Sequence, residues 1–179
     1  MEANEPETPP ATHRATAERT SERELVVTRT INGPVHLVFE AWSRPELFMQ
    51  WWVPKGAPIT LLACELDVRV GGKYRLVFGI NDTDQQMEFF GRYLEVTPPS
   101  VRGSVRTARI VWTNDEGDEA GAISTVTFEE TGGQTRVVVH DLYPSKEALD
   151  EAIASGSTEG MPAQLDQLDT FIGALDGTA

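Results

Sequence analysis

Apolar residues along the chain follow two different periods, and these periods divide it into strands and helices. Runs that alternate apolar and polar residues, or that are rich in β-branched side chains, predict seven strands. In chain order these strands are Glu24–Ile31, Ile59–Val68, Lys73–Phe78, Gln85–Val96, Thr107–Asn114, Ala122–Glu130 and Thr135–Leu142. Turn sequences such as Gly71-Gly72 and Pro98-Pro99 separate the last six, which predicts an antiparallel sheet of consecutive strands. Residues 100–106 fit either the start of a strand or a longer loop.

Two prolines between the first and second strands introduce short helical patterns. Pro34 suits the first turn of a helix, and apolar residues at helical spacing follow it. These residues are Val35, Val38, Phe39 and Trp42. Pro45 starts a second pattern of the same kind. We therefore expect two short helices in succession before the sheet continues.

The last part of the chain is helical in its periodicity. Ser145 follows Pro144 and is a typical helix N-cap, and Leu149, Ala152 and Ile153 share a face beyond it. After an interruption, one apolar stripe steps by four and three residues to the end of the chain. It consists of Met161, Leu165, Leu168, Ile172 and Leu175. A long amphipathic helix that covers one face of an antiparallel sheet indicates an α+β fold.

The first 22 residues differ in composition from the rest of the chain. They are rich in Glu, Pro, Thr and Ala and carry almost no large apolar side chains. Such a segment buries too little surface to offset its ordering entropy, which predicts a disordered tail over 1–22 and one folded domain over 23–176. The tail has no apolar core typical of a secretory signal, and the chain has no apolar run long enough to span a bilayer. We therefore expect a cytoplasmic protein without membrane insertion.

The net charge and the cysteine content exclude several classes of partner and of covalent or metal site. The formal net charge of −13 repels phosphate backbones, so we expect neither nucleic acid nor an anionic membrane surface as a partner. Cys64 is the only cysteine, which excludes an internal disulfide and favours a small buried hydrophobe. The three histidines show no metal-ligand spacing, and phosphate-binding glycine motifs are absent. We expect no metal and no cofactor.

Several separated runs resemble one known family. They are "AW…PELFMQWW", "CELDVRVGGKYRLVF", "FFGRYLEVTPP", "VTFEETGGQTRVVV" and "GMPAQLDQLDTF". In this order they are similar to bacterial homologues of the C-terminal domain of the heat-shock-protein ATPase activator (AHSA-type), within the START-like or SRPBCC superfamily. The resemblance covers about residues 24–176. One region departs from the pattern, since "SVRGSVRTARIVW" is longer than the usual link between the Pro-Pro turn and the next strand.

The resemblance implies a helix-grip fold of order β-α-α-β6-α, in which a curved sheet wraps around the last helix and leaves a hydrophobic cavity. Members of the superfamily bind lipids, sterols, polyketides and other apolar small molecules, and a minority are cyclases or aromatases. Chaperone activation does not carry over, because in eukaryotic activators it depends partly on another domain.

Strand parity and the Pro-Gly loop supply candidate walls for such a cavity. Alternate residues of a strand share a face, and aromatic residues at a loop mouth are typical of small-molecule pockets. The predicted wall consists of Trp51, Trp52, Tyr74, Leu76, Phe78, Met87, Phe89, Trp112, His140, Met161 and Leu165. For any one of these residues, plain core packing is the alternative.

Three functions are open at this stage. The first is binding of an apolar small molecule without catalysis. The second is a cyclase, aromatase or hydrolase that uses His140, Tyr143 or Glu65, where burial could shift a catalytic pKa. The third is a co-chaperone-like interaction module. We assign no catalytic residue. The sequence leaves the oligomeric state open, and a homodimer is one option because dimers are common among soluble proteins.

Overall fold

The computed structural model describes residues 15–116 and 119–176 of the chain. Eight strands and four α-helices follow one another in these ranges, with one 3₁₀ turn at Ser157–Glu159. The strands are β1 (Thr16–Arg19), β2 (Glu24–Ile31), β3 (Ile59–Leu66), β4 (Lys73–Ile80), β5 (Gln86–Arg102), β6 (Val105–Glu116), β7 (Glu119–Thr131) and β8 (Gln134–Leu142). The helices are α1 (Val35–Ser43), α2 (Pro45–Phe48), α3 (Lys146–Ala154) and α4 (Gly160–Asp176).

All eight strands form one antiparallel sheet with the order β1-β2-β8-β7-β6-β5-β4-β3. The six strands from β3 to β8 are joined in sequence, as the alternating pattern and turn residues predict. Strand β2 pairs with β8, so the segment that carries α1 and α2 must cross from one side of the sheet to the other. This crossing places α1 against the inner face of the sheet.

The last helix packs on β2 and α1 through the predicted apolar stripe. Leu165, Leu168 and Ile172 are fully buried. Gly33 lies so close to Ile172 that a β-carbon would collide with it. A large curved antiparallel sheet that holds a long C-terminal helix confirms the predicted α+β helix-grip fold. None of the helices in the described part of the chain is long and apolar enough to cross a bilayer.

A buried arginine also ties α4 to the sheet. The Arg29 side chain is 8% exposed, and its guanidinium contacts Asp166 at 2.9 Å and Asp169 at 3.1 Å. Asp169 also accepts a hydrogen bond from the backbone N–H of Asn32 at 2.7 Å. Charged residues that flank an apolar stripe are usually solvated, but here two of them fix the helix to β2.

The structure corrects the sequence interpretation at Thr16–Arg19. These residues were predicted as part of the tail, yet they form β1 and pair with Leu25–Thr28 of β2. All four side chains are exposed, so backbone hydrogen bonds hold the strand and the apolar pattern contains no sign of it. The predicted disorder of residues 1–14 concerns a part of the chain outside the described residues.

The structure also differs from the prediction around Pro98-Pro99, where β5 was expected to end. The strand continues to Arg102 because the two prolines lie in a register shift between Thr97 and Ser100, opposite β6. A bulge of this kind accommodates residues that lack a backbone donor. The ambiguous stretch 100–106 is therefore the end of β5, a tight turn at Gly103 with φ of 66°, and the start of β6.

Candidate functional site

A cavity of about 1220 Å³ lies between the sheet and the helices α3 and α4. Strands β4 to β8 form its floor, and the loop after α2 contributes to its wall. Met87 and Phe89 line it although they are 37% and 52% exposed. The cavity therefore opens to solvent beside the β4–β5 hairpin.

Aromatic rings form a continuous part of the wall. Trp42 lies 5.9 Å from Trp52 and 5.7 Å from Trp112, measured between ring centroids. Phe48 stacks on Trp52 at 4.4 Å. All four residues line the cavity. Rings that pack against one another lose little entropy when a ligand arrives, so this wall is preorganised for an apolar molecule.

The two adjacent tryptophans have different roles. Trp51 is 1% exposed, and its indole N–H donates to the carbonyl of Ala41 at 3.0 Å, so it belongs to the core. Trp52 is partly buried and faces the cavity. The prediction that Trp51 lines the cavity is wrong, because its indole N–H finds its partner on α1.

Two glutamines of α4 hold the loop that carries Trp52. The side-chain amide of Gln164 donates to the Trp52 carbonyl at 2.6 Å. Gln167 donates to the carbonyls of Trp51 and Val53 at 2.8 Å each and accepts from the Lys55 N–H at 2.7 Å. Four loop backbone groups are thus satisfied by side chains of the helix, which fixes Trp52 at the cavity.

Register between strands brings the apolar residues of the floor together. Leu76 lies opposite Phe89, Phe78 opposite Met87, and Tyr93 opposite Trp112, so each pair points to the same face. Of the predicted wall, the residues that lie around the cavity are Trp52, Tyr74, Leu76, Phe78, Met87, Phe89, Trp112 and Met161. Leu165 does not line it, because this residue of α4 is fully buried in the hydrophobic core.

His140, like Trp51 and Leu165, does not line the cavity. It lies on the outer face of β8, where its Nε2 is 2.8 Å from Glu24 Oε1. Val137 and Val139 are fully buried, so the inward positions of β8 are the odd-numbered ones. Three consecutive valines conceal this parity, and Asp141 therefore takes the inward place that was assigned to His140.

Asp141 ends a chain of polar side chains on the cavity wall. The amide of Asn114 donates to Ser124 Oγ at 2.9 Å, and the Ser124 hydroxyl donates to Asp141 Oδ1 at 2.6 Å. The Tyr74 hydroxyl donates to the carbonyl of Thr113 at 2.7 Å beside them. Three adjacent strands thus present polar groups at one level of an otherwise apolar floor.

A bulge in β7 lies opposite Asn114. Register shifts between Thr113 and Asp115, and the Asn114 amide donates to the carbonyl of Ala122 at 2.9 Å in the same region. Gly121 is required there, because a β-carbon would collide with the carbonyl of Asn114. Asn114 faces the cavity by alternation from Trp112, and the extra residue of the bulge lies on β7, where the Asn114 side chain satisfies the carbonyl of Ala122.

Burial alters the acidity of these groups. It raises the pKa of Asp141 above the ordinary value, against the opposing effects of the Ser124 hydrogen bond and of His140. Burial also raises the pKa of Tyr74 and raises the pKa of Tyr143 to about 12, with a further contribution from the charge of Asp141. The tyrosines stay neutral at physiological pH, so they offer hydroxyl groups and no charge.

The charged residues along the cavity have one sign. Its acidic lining residues are Glu88, Asp115, Glu116, Asp141 and Glu151, whereas no Lys, Arg or His lies among the described residues that line it. Sequence reasoning missed Asn114, Ser124 and Asp141. The charged Arg136 at the start of β8 could have marked the even-numbered positions as the outer face. It would then have placed Thr135 and Asp141 on the inner face.

Two other candidate groups lie away from the cavity. Glu65 is exposed and pairs with Arg75 at 3.6 Å. Cys64 is partly buried and packs against the core, and burial, with the charge of Glu65, raises the pKa of its thiol to about 11. A thiol with such a pKa is a poor nucleophile. Within residues 15–116 and 119–176, no group of His, Cys, Asp and Glu is arranged to hold a metal ion.

Comparison with known proteins places the chain among proteins of one family. The profile of the family described as activator of Hsp90 ATPase homolog 1-like protein matches residues 32–173. No curated protein matches the chain.

Solved bacterial structures share the fold. A protein from Nitrosomonas europaea is 22% identical with a TM-score of 0.72, and the match covers 89% of this chain and 99% of that one. A protein from Rhodobacter sphaeroides is 18% identical with a TM-score of 0.73, over 90% and 99% of the two chains. A third, from Mycobacterium smegmatis, is 20% identical with a TM-score of 0.68, over 90% and 99%. At these identities the likeness concerns the fold alone.

Proposed function

Since the chain belongs to the family of activator of Hsp90 ATPase homolog 1-like proteins, with its START-like helix-grip fold, we propose that it binds a hydrophobic small molecule between the sheet and α4. The observation that carries this proposal is the aromatic wall around an open cavity of about 1220 Å³. Pockets for small molecules are concave and mostly apolar, with a few placed polar groups, and this cavity matches that description. A lipid, a polyketide or a metabolite of similar size fits its volume.

The enzyme alternative receives less support from the residues at the cavity. Of the three groups assigned to it, His140 and Glu65 are absent from the cavity lining and only Tyr143 lines it. No histidine among the described residues lines the cavity beside the Asp141–Ser124 pair, since His140 lies on the outer face and contacts Glu24, so the pair does not resemble a nucleophile with its general base. Binding without catalysis is therefore the function we propose.

A cavity-filling substitution tests this proposal. Ala152 of α3 lines the cavity, and Ala152→Trp would place an indole in it. Titration with Nile red, a neutral apolar dye, is expected to show saturable one-to-one binding to the natural protein. The substitution is expected to weaken it at least about tenfold, since the indole occupies volume that the dye needs.

The matched control is Ala154→Trp, the same substitution on an exposed position of the same helix that does not line the cavity. This variant is expected to bind the dye like the natural protein. Equal weakening in both variants, or dye binding that never saturates, would contradict the proposal. Native mass spectrometry of freshly purified protein adds a second measurement, in which a co-purifying apolar molecule supports it.

A further inference from the structure

The inward positions of three neighbouring strands change from apolar to polar in the same direction across the cavity floor. On β6 they are Ala108, Ile110 and Trp112, followed by Asn114. On β8 the buried Val137 and Val139 precede Asp141. Alternate residues of a strand lie about 6.6 Å apart, so the floor has an apolar part and a polar end separated by one or two such steps. A ligand that matches it has an apolar body and a polar end.

Hydrogen bonds at the polar end run in one direction. Asn114 donates to Ser124, and Ser124 donates to Asp141 Oδ1. The chain ends at a carboxylate, which accepts and does not donate when ionised. Among the described residues, Ser124 is the side chain that donates to Asp141, so Oδ2 is free to accept a hydrogen bond from a ligand. The complementary group on the ligand is a donor.

The charges around the cavity select the kind of donor. Asp141, Glu116 and Glu151 line the cavity without an ion-pair partner among the described residues, whereas Glu88 pairs with Arg75 at 2.9 Å and Asp115 lies 4.0 Å from Arg92. Like charges that converge on one cavity repel one another, and the repulsion costs more at the partly buried Asp141 than it would in bulk water. A fatty-acid carboxylate or a phosphate would therefore be disfavoured, whereas a cation would relieve the repulsion.

We propose that the ligand is an apolar amine, whose hydrocarbon or aromatic body lies on the aromatic wall and whose ammonium group donates to Asp141. This inference rests on the proposed function and specifies its ligand class. Trp112, the register partner of Ser124, lines the cavity next to that ammonium position and adds an aromatic face, which attracts cations. Burial raises the pKa of Asp141 against the opposing charge of His140 on the outer face of β8, and no cationic side chain among the described residues forms an ion pair with this carboxyl.

The test compares three ligands that differ only in their polar end: decylamine, decanol and decanoate. Each displaces Nile red from the protein at pH 7 and low ionic strength, below its micelle concentration. We expect the amine to bind at least about tenfold more tightly than the alcohol, the size of effect expected from one charge-assisted hydrogen bond. Decanoate is expected to bind most weakly. Added salt should reduce the preference for the amine.

Two variants distinguish the effect of the Asp141 charge on the ligand preference from the effect of the overall negative charge of the protein. Asp141→Asn keeps the acceptor for Ser124 and removes the charge, so the preference for the amine should fall to about threefold or less. Glu129→Gln removes one charge from an exposed position on the outer face of β7 and should leave the preference unchanged. Circular dichroism checks folding. If Asp141→Asn does not fold, Glu151→Gln on α3 takes its place, with a smaller reduction expected.

The outcomes distinguish this inference from the proposed function. Saturable dye binding with equal affinity for the three ligands, or with decanoate the tightest, overturns the amine and leaves the small-molecule cavity intact. An amine preference that survives in folded Asp141→Asn overturns the role of that carboxylate. Absence of both dye and ligand binding overturns the proposed function itself.

Discussion

Replacement of Gln167 by leucine is expected to destabilise the protein and to loosen the loop that places Trp52 at the cavity. Gln167 makes three hydrogen bonds to the backbone of that loop: it donates to Trp51 and Val53 and accepts from Lys55. Leucine has a similar volume and keeps the helix propensity, so the substitution removes the polar contacts without a large change in packing.

The magnitude follows from which backbone groups lose their partner. Each hydrogen bond contributes about 0.5–1.5 kcal/mol net, and a buried acceptor left without a partner costs about 1–3 kcal/mol. Lys55 is exposed, so water replaces its bond at little cost. The carbonyls of Trp51 and Val53 face α4 and are less accessible. We therefore expect the free energy of unfolding to fall by about 2–3 kcal/mol.

Urea denaturation and hydrogen exchange together measure this effect. Denaturation gives the global loss of stability. Hydrogen exchange should show that the substitution speeds the opening of the N–H groups between residues 51 and 57 more than that of the N–H groups in the sheet. Nile red affinity should fall as well, because Trp52 lines the cavity. Gln50→Leu is the control, since Gln50 is exposed on the turn after α2 and should change stability by less than about 0.5 kcal/mol. A loss below about 1 kcal/mol with unchanged exchange would refute the role we give to Gln167.

Three further changes test the packing and electrostatics of the same structure. Arg29→Met should lower the free energy of unfolding by about 2–4 kcal/mol in urea denaturation, since it leaves two carboxylates of α4 without their cation. If high salt abolished this difference between the variant and the natural protein, the ion pairs would behave as surface pairs instead. Gly33→Ala should cost about 1–3 kcal/mol through collision with Ile172, and an unchanged melting temperature would contradict that contact. The pKa of Asp141 is raised in the folded protein, so its ionisation opposes folding as pH rises above the ordinary aspartate range. Asp141→Asn should therefore gain stability relative to the natural protein as the pH rises above the ordinary aspartate range, and a difference that does not vary with pH would contradict this.

Periodicity predicted the parts of the fold that are held by apolar side chains. The seven strands and the stripe from Leu165 to Ile172 follow directly from alternation and helical spacing, because burial of one face selects those patterns. Strand β1 could not be found in this way, since its side chains are exposed and it is held by backbone pairing and by polar contacts of Arg19, such as that with Asp150 at 2.7 Å. The extension of β5 past Pro98 was missed for a related reason: a bulge depends on the partner strand, which local sequence does not specify.

Alternation identifies the side chains that face the cavity where strands are regular and fails where parity is hidden. Phe78, Met87 and Trp112 lie on the cavity as alternation indicates. The run of three valines before His140 offers no polar residue to mark the outer face, so the inward place of Asp141 stayed hidden. Trp51 and Trp52 lie in an irregular loop, where no period decides which of two adjacent side chains is buried.

The polar end of the cavity has a structural cost that the protein meets by internal hydrogen bonding. Asn114, Ser124 and Asp141 are linked by hydrogen bonds across β6, β7 and β8, next to rows of valine, isoleucine and aromatic residues. Apolar side chains at the same positions would complete the core and would need neither the bulge nor Gly121. The bulge, the glycine and the directed bonds together maintain one partly desolvated carboxylate at the floor of a cavity. An arrangement that costs stability and leaves Asp141 Oδ2 without a donor among the described residues is accounted for, in our proposal, by a donor that arrives from outside, which is why Asp141 is the position where ligand chemistry is most directly tested.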